Sequence, residues 1–304
     1  MPALIEICHA NMGYPNHQVL SDIHCQFSRG QCIGVLGSNG AGKSTFLKTL
    51  VGVLEPLAGE VVYQDSALRK PLPFSTIGFA SQEPMLDWYQ TVYDNVLLGP
   101  LLAGKPLEYS KRLTKEALKR VHLLDKAGAF LDTLSGGQQV RVQIARAVAH
   151  QPEIYILDEP TAGLDIETSE EVLSRIRHAV DQGKCALISS HDLALLERFV
   201  THIFFIHEGR LAFFGSLNAF LKNTHQAYQF SLREEVGEEL LKQIKQISPV
   251  TQSSPHCLRC TFSQNEQLNQ VLHLISKQAT ILDVKAEGQQ LRSSYVRQIK
   301  RKDS

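Results

Sequence analysis

A glycine-rich stretch with a lysine and two hydroxyl groups, GSNGAGKST at residues 37–45, is well suited to holding an anion. Its glycines permit backbone angles that other residues resist, so successive N–H groups can point inward at one ligand. The apolar run QCIGVL precedes it and FLKTLVGVL follows it, which predicts a strand, a loop and a helix in that order. In that context the pattern GxxxxGK[ST] predicts a loop that binds nucleotide phosphates, with Lys43 on the β- and γ-phosphates and Ser44 as a ligand of Mg²⁺.

Two adjacent carboxylates end a second apolar run, IYILDEP at residues 154–160. If this strand lies beside the phosphate-loop strand in a parallel sheet, its carboxyl end reaches the same crevice. Asp158 is then placed to hold Mg²⁺, directly or through water, and Glu159 to orient or deprotonate a water in line with the γ-phosphate. A solvated turn is the alternative, and the upstream phosphate loop disfavours it.

A second glycine-rich turn, LSGGQ, precedes the predicted helix VRVQIARAVAH. Ser135 suits a helix N-cap, and that role would explain the turn without any ligand. Alternatively, the backbone N–H groups, the serine hydroxyl and the helix dipole form a second anion site. A dimer that holds nucleotide between the first site of one subunit and the second site of its partner would use both.

The roles of four further residues are not determined by spacing alone. Tyr14, in a loop near the phosphate site, can stack on an adenine base or pack on its own domain. Gln82 can reach Mg²⁺ or water through its amide oxygen, or it can be an ordinary polar loop residue. Asp165 suits an N-cap, and His191 at a strand end can contact the γ-phosphate or polarise water.

Five segments in this order, GSNGAGKST, SQEP, LSGGQQ, ILDEPTAGLD and SSHD, resemble the nucleotide-binding subunit of an ABC transporter. LSGGQ between the other motifs is the distinguishing element. The resemblance implies an α/β fold: a P-loop NTPase cassette at residues 1–222 with a parallel core sheet, an antiparallel β layer and a helical subdomain at about residues 85–150.

The resemblance also implies roles for individual residues. It makes Tyr14 the adenine-stacking residue, Gln82 a sensor of Mg²⁺ and of the partner, Asp165 a dimer contact and His191 a switch. The residues expected to contact ATP are Tyr14, Val19, Gly37, Ser38, Asn39, Gly40, Ala41, Gly42, Lys43, Ser44 and Thr45. Those expected to contact ATP held by the other subunit are Ser135, Gly136, Gly137, Gln138 and Asp165. Mg²⁺ is expected on Ser44, Gln82 and Asp158, and hydrolysis is expected from Lys43, Gln82, Glu159 and His191.

Composition limits the cellular setting. The net charge is zero, so no global field attracts nucleic acid or an anionic membrane. No run of eighteen apolar residues is present, and the first residues, MPALIEICHA, lack a signal-peptide pattern. Six mostly single cysteines suit a reducing compartment. We expect a cytoplasmic protein that makes no direct nucleic-acid contact and lies peripherally on the inner face of the cell membrane through a partner.

The tail, residues 226–304, changes character and predicts a small accessory α+β domain with QISPVTQSSP as a loop. It loosely resembles the C-terminal extensions of cassettes that drive ABC-2 exporters. Cys257 and Cys260 form a CxxC without a second pair, which favours an ordinary strand over a metal or redox site.

The function expected from these features is that of an ATPase subunit that dimerises, with itself or with another cassette, and drives a separate transmembrane permease. The tail favours export, whereas QEPMLDWYQTVYDNVLLG resembles the loop of importers for oxyanions and sulfonates. The apolar part of that segment, residues 85–103, is either core or a groove for a partner helix. A soluble ATPase acting on ribosomes or DNA is disfavoured because neither a second cassette nor a long coiled coil fits between Thr45 and Leu134. A nucleotide sensor without turnover is disfavoured by the intact Glu159 and His191.

Overall fold

The structure is a computed structural model that describes residues 3–63, 73–83, 85–222, 226–262, 265–287 and 291–302. The chain divides into two compact units, Met1–Leu217 and Asn218–Ser304. Each unit has its own buried apolar core.

The first unit combines two sheets with helices. Its strands are β1 (Ala3–Tyr14), β2 (His17–Ser28), β3 (Cys32–Leu36), β4 (Ala58–Tyr63), β5 (Ile77–Ala80), β6 (Ile154–Asp158), β7 (Cys185–Ser189), β8 (His202–His207) and β9 (Arg210–Ser216). Its helices are α1 (Lys43–Leu50), α2 (Pro73–Thr76), α3 (Val92–Leu102), α4 (Leu107–Arg120), α5 (Gly136–Val148), α6 (Ile166–Asp181) and α7 (Leu193–Glu197). A further helix, α8 (Leu217–Lys222), begins at Leu217, the last residue of the first unit.

The larger sheet has the strand order β5-β6-β7-β3-β8-β9. All neighbours in it are parallel except β8 and β9. Every residue of β3, β6 and β7 is buried, as expected for parallel strands covered on both faces. The carboxyl ends of these three strands therefore meet at one edge, where the glycine-rich loop and the two carboxylates follow.

The smaller sheet, β2-β1-β4, is antiparallel and shares its core with the larger one. Three rings join the layers: Phe46 of α1 stacks on Phe204 of β8 at 4.3 Å between centroids, and Phe27 of β2 meets both edge-on. The helices α3, α4 and α5 form a separate cluster around Val96, Leu118 and Val142. The predicted α/β cassette, with its antiparallel layer and helical subdomain, is confirmed.

The second unit contains an antiparallel four-stranded sheet with helices against it. Its elements are β10 (Gln226–Leu232), α9 (Glu238–Ile247), β11 (Val250–Ser254), β12 (Cys257–Phe262), α10 (Asn265–Gln278), β13 (Ile281–Glu287) and α11 (Leu291–Lys302). The order β11-β12-β10-β13 with the chain order βαββαβ is the ferredoxin-like arrangement. Phe230 and Leu258 of the sheet pack with Ile244 of α9 and Val271 of α10.

The expectation of a loop at QISPVTQSSP is wrong in part, because β11 lies within it. At the edge of the sheet that the structure describes, this strand pairs with β12, and Thr251 lies opposite Arg259. Its last four residues, TQSS, are exposed, so the strand has no alternation of apolar and polar residues. Val250 is the one residue of the strand that packs against the core, so this edge strand leaves no such pattern in the sequence.

The two tail cysteines lie in β12 on opposite faces, as the period of a strand requires. Cys260 is buried, and burial raises the pKa of its thiol to about 12. Cys257 accepts a hydrogen bond from Gln229 Nε2 at 2.9 Å. Within the described ranges no group of three or more histidine, cysteine or acidic side chains is arranged to hold a metal ion.

Candidate nucleotide site

The glycine-rich loop is held between β3 and α1. Gly40 and Gly42 have φ of 79° and 104°, values that favour glycine. Gly42 occupies the N-cap position of α1, where no described side chain makes a capping hydrogen bond. A Cβ at Gly42 would lie 2.7 Å from Leu20 Cδ2 and 2.9 Å from Val19 Cγ1. Gly42 is therefore required by its backbone and by its packing on β2, and the first N–H groups of α1 remain available for an anion.

Lys43 presents a cation to this loop. Its Nζ donates to the carbonyl oxygens of Gly37, at 2.8 Å, and Ser38, at 3.2 Å. Burial lowers the pKa of the Lys43 ammonium, and the carboxylates of Glu159 and Asp158 oppose that shift in part. A phosphate in the loop would offer Nζ charged oxygens in place of the two carbonyls.

Asp158 and Glu159 are joined by Ser189, the first residue of the SSHD segment, to which the sequence analysis assigned no role. Ser189 is fully buried at the end of β7, and the strand register places it opposite Asp158. Its Oγ donates to Asp158 Oδ1 at 2.6 Å and accepts from the Glu159 N–H at 2.9 Å. One hydroxyl thus fixes the orientation of the first carboxylate and the backbone of the second. The available signal was a serine at the end of the apolar run CALIS.

Glu159 leaves the strand in an unusual conformation, with φ of 54°. Its side chain is only 6% exposed, and its Oε2 accepts from the His191 N–H at 3.2 Å. His191 Nε2 lies 3.4 Å from Oε1, an atom to which no described group donates a hydrogen bond. Burial raises the pKa of the Glu159 carboxyl, more than the nearby His191 lowers it. A buried carboxylate with one unsatisfied oxygen is suited to accept a proton from water.

The signature turn LSGGQ caps its own helix. Ser135 and Gln138 form a reciprocal capping box: the Ser135 Oγ accepts from the Gln138 N–H at 3.4 Å, and the Gln138 Oε1 accepts from the Ser135 N–H at 3.1 Å. Asp165 caps α6, and hydrogen bonds from Thr168 lower the pKa of its carboxyl. A Cβ on Gly137 would lie 3.0 Å from the carbonyl oxygen of Gly163, so the signature turn and the TAGLD segment are adjacent. The capping interpretation therefore holds within one chain, and both turns remain on the surface.

Tyr14 and Val19 flank the turn between β1 and β2. Tyr14 is exposed, whereas Val19 is partly buried against Gly42. The structure thus connects Val19 directly to the phosphate loop. It leaves the ring of Tyr14 accessible for stacking.

Gln82 is exposed just beyond the end of β5. Because β5 and β6 are parallel with Ala80 opposite Leu157, Gln82 and Asp158 leave the same edge of the sheet. With Ser44 they offer hydroxyl, amide and carboxylate oxygens, the atoms that Mg²⁺ prefers, and a single carboxylate suits an ion that also binds phosphates and water. These residues therefore fit Mg²⁺. A buried glutamine on α5, Gln143, binds the backbone on both sides of Gln82, and no sequence pattern indicates this contact.

Comparison with known proteins identifies the family of this chain. Residues 20–162 match the ABC transporter family. The manganese transport system ATP-binding protein of Bacillus subtilis is 33% identical over 236 residues, which is 74% of this chain and 92% of that protein. The glutamine transport ATP-binding protein of Escherichia coli is 31% identical over 226 residues, covering 72% of this chain and 94% of that protein.

A solved structure, a dimeric ATP-binding cassette in a post-hydrolysis state with ADP and Pi, superposes with a TM-score of 0.63 and 26% identity over 70% of this chain and 98% of that one. The identities and coverages establish the family. This chain is therefore an ATP-binding subunit of the ABC transporter family, an ATP hydrolase that dimerises.

Proposed function

We propose that two cassettes close around two ATP molecules and that the cycle of closing and reopening drives transport through a separate transmembrane permease. The observation that carries the proposal is the exposed, pre-formed signature turn beside the TAGLD segment. Ser135, Gly136 and Asp165 are all exposed and caps already orient both turns. Such a surface suits an anion supplied by another chain, because helix N-termini and oriented N–H groups attract phosphate.

Hydrolysis follows from the side chains at the strand ends. Lys43 and the N–H groups of α1 stabilise negative charge on the phosphates, and Glu159 takes a proton from water. His191 holds Glu159 Oε2 through its backbone N–H and brings Nε2 near Oε1. Mg²⁺, held by Ser44, Gln82 and Asp158, would neutralise charge on the β- and γ-phosphates. Loss of the γ-phosphate removes the anion from the partner's signature turn, so the dimer reopens.

Residues 85–103 supply both core and surface. Leu86, Val92 and Val96 are buried, whereas Trp88 and Tyr89 are exposed, Tyr89 by 91%. The exposed set that we assign to the permease consists of Met85, Trp88, Tyr89, Leu98, Leu101 and Leu102. An apolar surface of this kind suits a helix of a partner.

Buried Asn95 shapes the loop that carries this surface. Its Oδ1 accepts from the Asp87 N–H at 2.8 Å, and its Nδ2 donates to the carbonyl oxygens of Asp87 and Thr91.

Among the residues the structure describes, no helix combines the length and the apolar composition that crossing a bilayer requires. We place the protein at the cytoplasmic face of the cell membrane, held there by the permease.

The direction of transport follows less directly. The relatives above are named for manganese and glutamine transport, and they give no support to the export that the tail suggested. We therefore propose transport of a small solute, with uptake as the alternative to export. The permease decides between them.

The test is to trap the tagged Glu159→Gln chain with ATP in its native cell and to identify what co-purifies from solubilised membranes. A polytopic membrane protein supports the proposal, and its architecture distinguishes uptake from export. A matched control carries Tyr89→Arg and Leu102→Arg as well, changes that should abolish capture of the permease while ATP-driven dimerisation persists. Ribosomal proteins or DNA, with no membrane protein, would overturn the transport assignment.

A further inference from the structure

Gln143 is a buried polar side chain in the middle of α5. Gln143 is only 3% exposed. Its Nε2 donates to the carbonyl oxygen of Ser81 at 2.9 Å and lies 3.0 Å from the Ser81 Oγ and 3.5 Å from the carbonyl oxygen of Glu83. One amide group therefore binds the residues on both sides of Gln82.

Besides its hydrogen bonds to Gln143, the turn around Gln82 has an internal hydrogen bond. The Ser81 Oγ donates to the carbonyl oxygen of Glu83 at 2.5 Å, so one bond spans Gln82. Ser81 is itself buried, whereas Gln82 is exposed. The fixed backbone on either side limits where the Gln82 side chain can reach, and the fixing group belongs to another element, 62 residues along the chain.

The helix that carries Gln143, α5, has the signature turn at its N-terminus. α5 begins at Gly136, directly after the Ser135 cap, and runs without interruption to Val148. Gln143 therefore lies about 10 Å along the helix from its first residue, at 1.5 Å per residue. Because α5 is a continuous helix, it provides a physical connection through which a displacement of the Gln82 turn can reach the signature turn.

We propose that Gln143 is a positioning residue that ties Gln82, facing the nucleotide of its own subunit, to the signature turn, facing the nucleotide of the partner. The link makes occupancy of one ATP site alter the other. The inference rests on the proposed roles of Gln82 and of the signature turn. A purely structural Gln143, which only satisfies buried carbonyls, would affect stability and leave the coupling between sites unchanged.

The test compares two near-isosteric substitutions in the full-length chain. Gln143→Met removes the buried donor and keeps the shape of the side chain. Thr114→Val is the matched control: it removes a fully buried donor on α4, whose Oγ1 donates to the Ser110 carbonyl oxygen at 2.8 Å and contacts no nucleotide residue. Steady-state ATP hydrolysis is measured against ATP and against Mg²⁺, together with thermal unfolding.

For Gln143→Met we expect kcat to fall about tenfold, with KM for ATP changed less than about twofold. We also expect the Mg²⁺ concentration for half-maximal rate to rise and the Hill coefficient for ATP to fall to about one. Thr114→Val should lose stability and keep wild-type kinetics. If Gln143→Met does not fold, Ser81→Ala weakens the same link from its other side, and the same changes are expected at smaller size.

The variant Gln82→Ala distinguishes failure of this inference from failure of the proposed function on which it rests. Unchanged kcat and Mg²⁺ dependence in Gln82→Ala would refute the role proposed for Gln82, and the inference with it. If Gln82→Ala is impaired while Gln143→Met and Ser81→Ala match Thr114→Val, the inference alone is overturned. Support requires that the Gln82→Ala, Gln143→Met double variant is no slower than Gln82→Ala, because both changes then act on one step.

Discussion

Ser189→Ala tests whether Asp158 and Glu159, to which we assign Mg²⁺ binding and proton abstraction, depend on one hydroxyl. The substitution removes the donor to Asp158 Oδ1 and the acceptor of the Glu159 N–H, and it changes nothing on the surface because Ser189 is fully buried. We expect Asp158 to lose its fixed orientation and the Glu159 backbone to lose the contact that holds it at the strand end.

The magnitude follows from the two contacts. A hydrogen bond to a charged group contributes about 1.5–3 kcal/mol, and a buried N–H left without an acceptor costs about 1–3 kcal/mol. Allowing for relaxation, we expect the free energy of unfolding to fall by about 2–4 kcal/mol. If about 2 kcal/mol of this also stabilises the transition state, kcat falls about 30-fold.

The assay is steady-state ATP hydrolysis by the purified chain, with thermal unfolding measured on the same preparations. Ser110→Ala is the control, since Ser110 is an equally buried serine on α4 whose Oγ donates to the Lys105 carbonyl oxygen at 3.2 Å. Ser110→Ala should be destabilised and hydrolyse ATP normally. Were Ser189→Ala to keep kcat within about twofold of wild type while losing stability, the hydroxyl would have no part in arranging the acids.

The remaining predictions concern Glu159, Gly42 and Asn95. Glu159→Gln should bind ATP, dimerise on size-exclusion chromatography and hydrolyse at less than about 1% of the wild-type rate, because the variant lacks the group that accepts a proton; normal turnover would refute that role. Since burial raises the pKa of Glu159, the acid limb of the kcat–pH profile should lie above the ordinary carboxyl value of 4.5. The raised pKa means that the ionised carboxylate destabilises the fold, so Glu159→Gln should melt above wild type at neutral pH, with the difference shrinking as pH falls through the raised value; a constant difference would contradict this. Gly42→Ala should lower Tm more than Gly40→Ala, because a Cβ at Gly42 meets Leu20 and Val19 whereas one at Gly40 meets nothing within 4 Å, and equal losses would show that only backbone strain acts. Asn95→Ala should keep ATP hydrolysis and lose co-purification of the permease, since it releases the loop that carries Trp88 and Tyr89; retained capture would place the docking surface elsewhere.

The parts of the site that the sequence predicted are those whose chemistry is carried by residue type and local spacing. The glycine-rich loop, the acid pair and the signature turn each lie within a few consecutive residues, so strand, loop and helix signals place them. The α/β cassette followed from the same signals, because a buried parallel strand appears as a short apolar run such as CIGVL.

The parts that the sequence missed depend on register between distant segments. Ser189 reaches Asp158 only because β6 and β7 pair in a particular alignment, and Gln143 reaches Ser81 across 62 residues. Neither serine nor glutamine is rare enough in a soluble chain to mark its position. Strand β11 was missed for a related reason, since its exposed side chains carry no pattern and its partner strand defines it.

The backbone of Glu159 has a consequence for selection. A non-glycine residue at φ of 54° carries about 1–2 kcal/mol of strain, and the buried charge adds to it. Glycine or asparagine would relieve both at once. In a library of variants screened only for heat resistance, we expect glutamate to be replaced at this position. The gain in thermal stability would then be accompanied by loss of ATP hydrolysis.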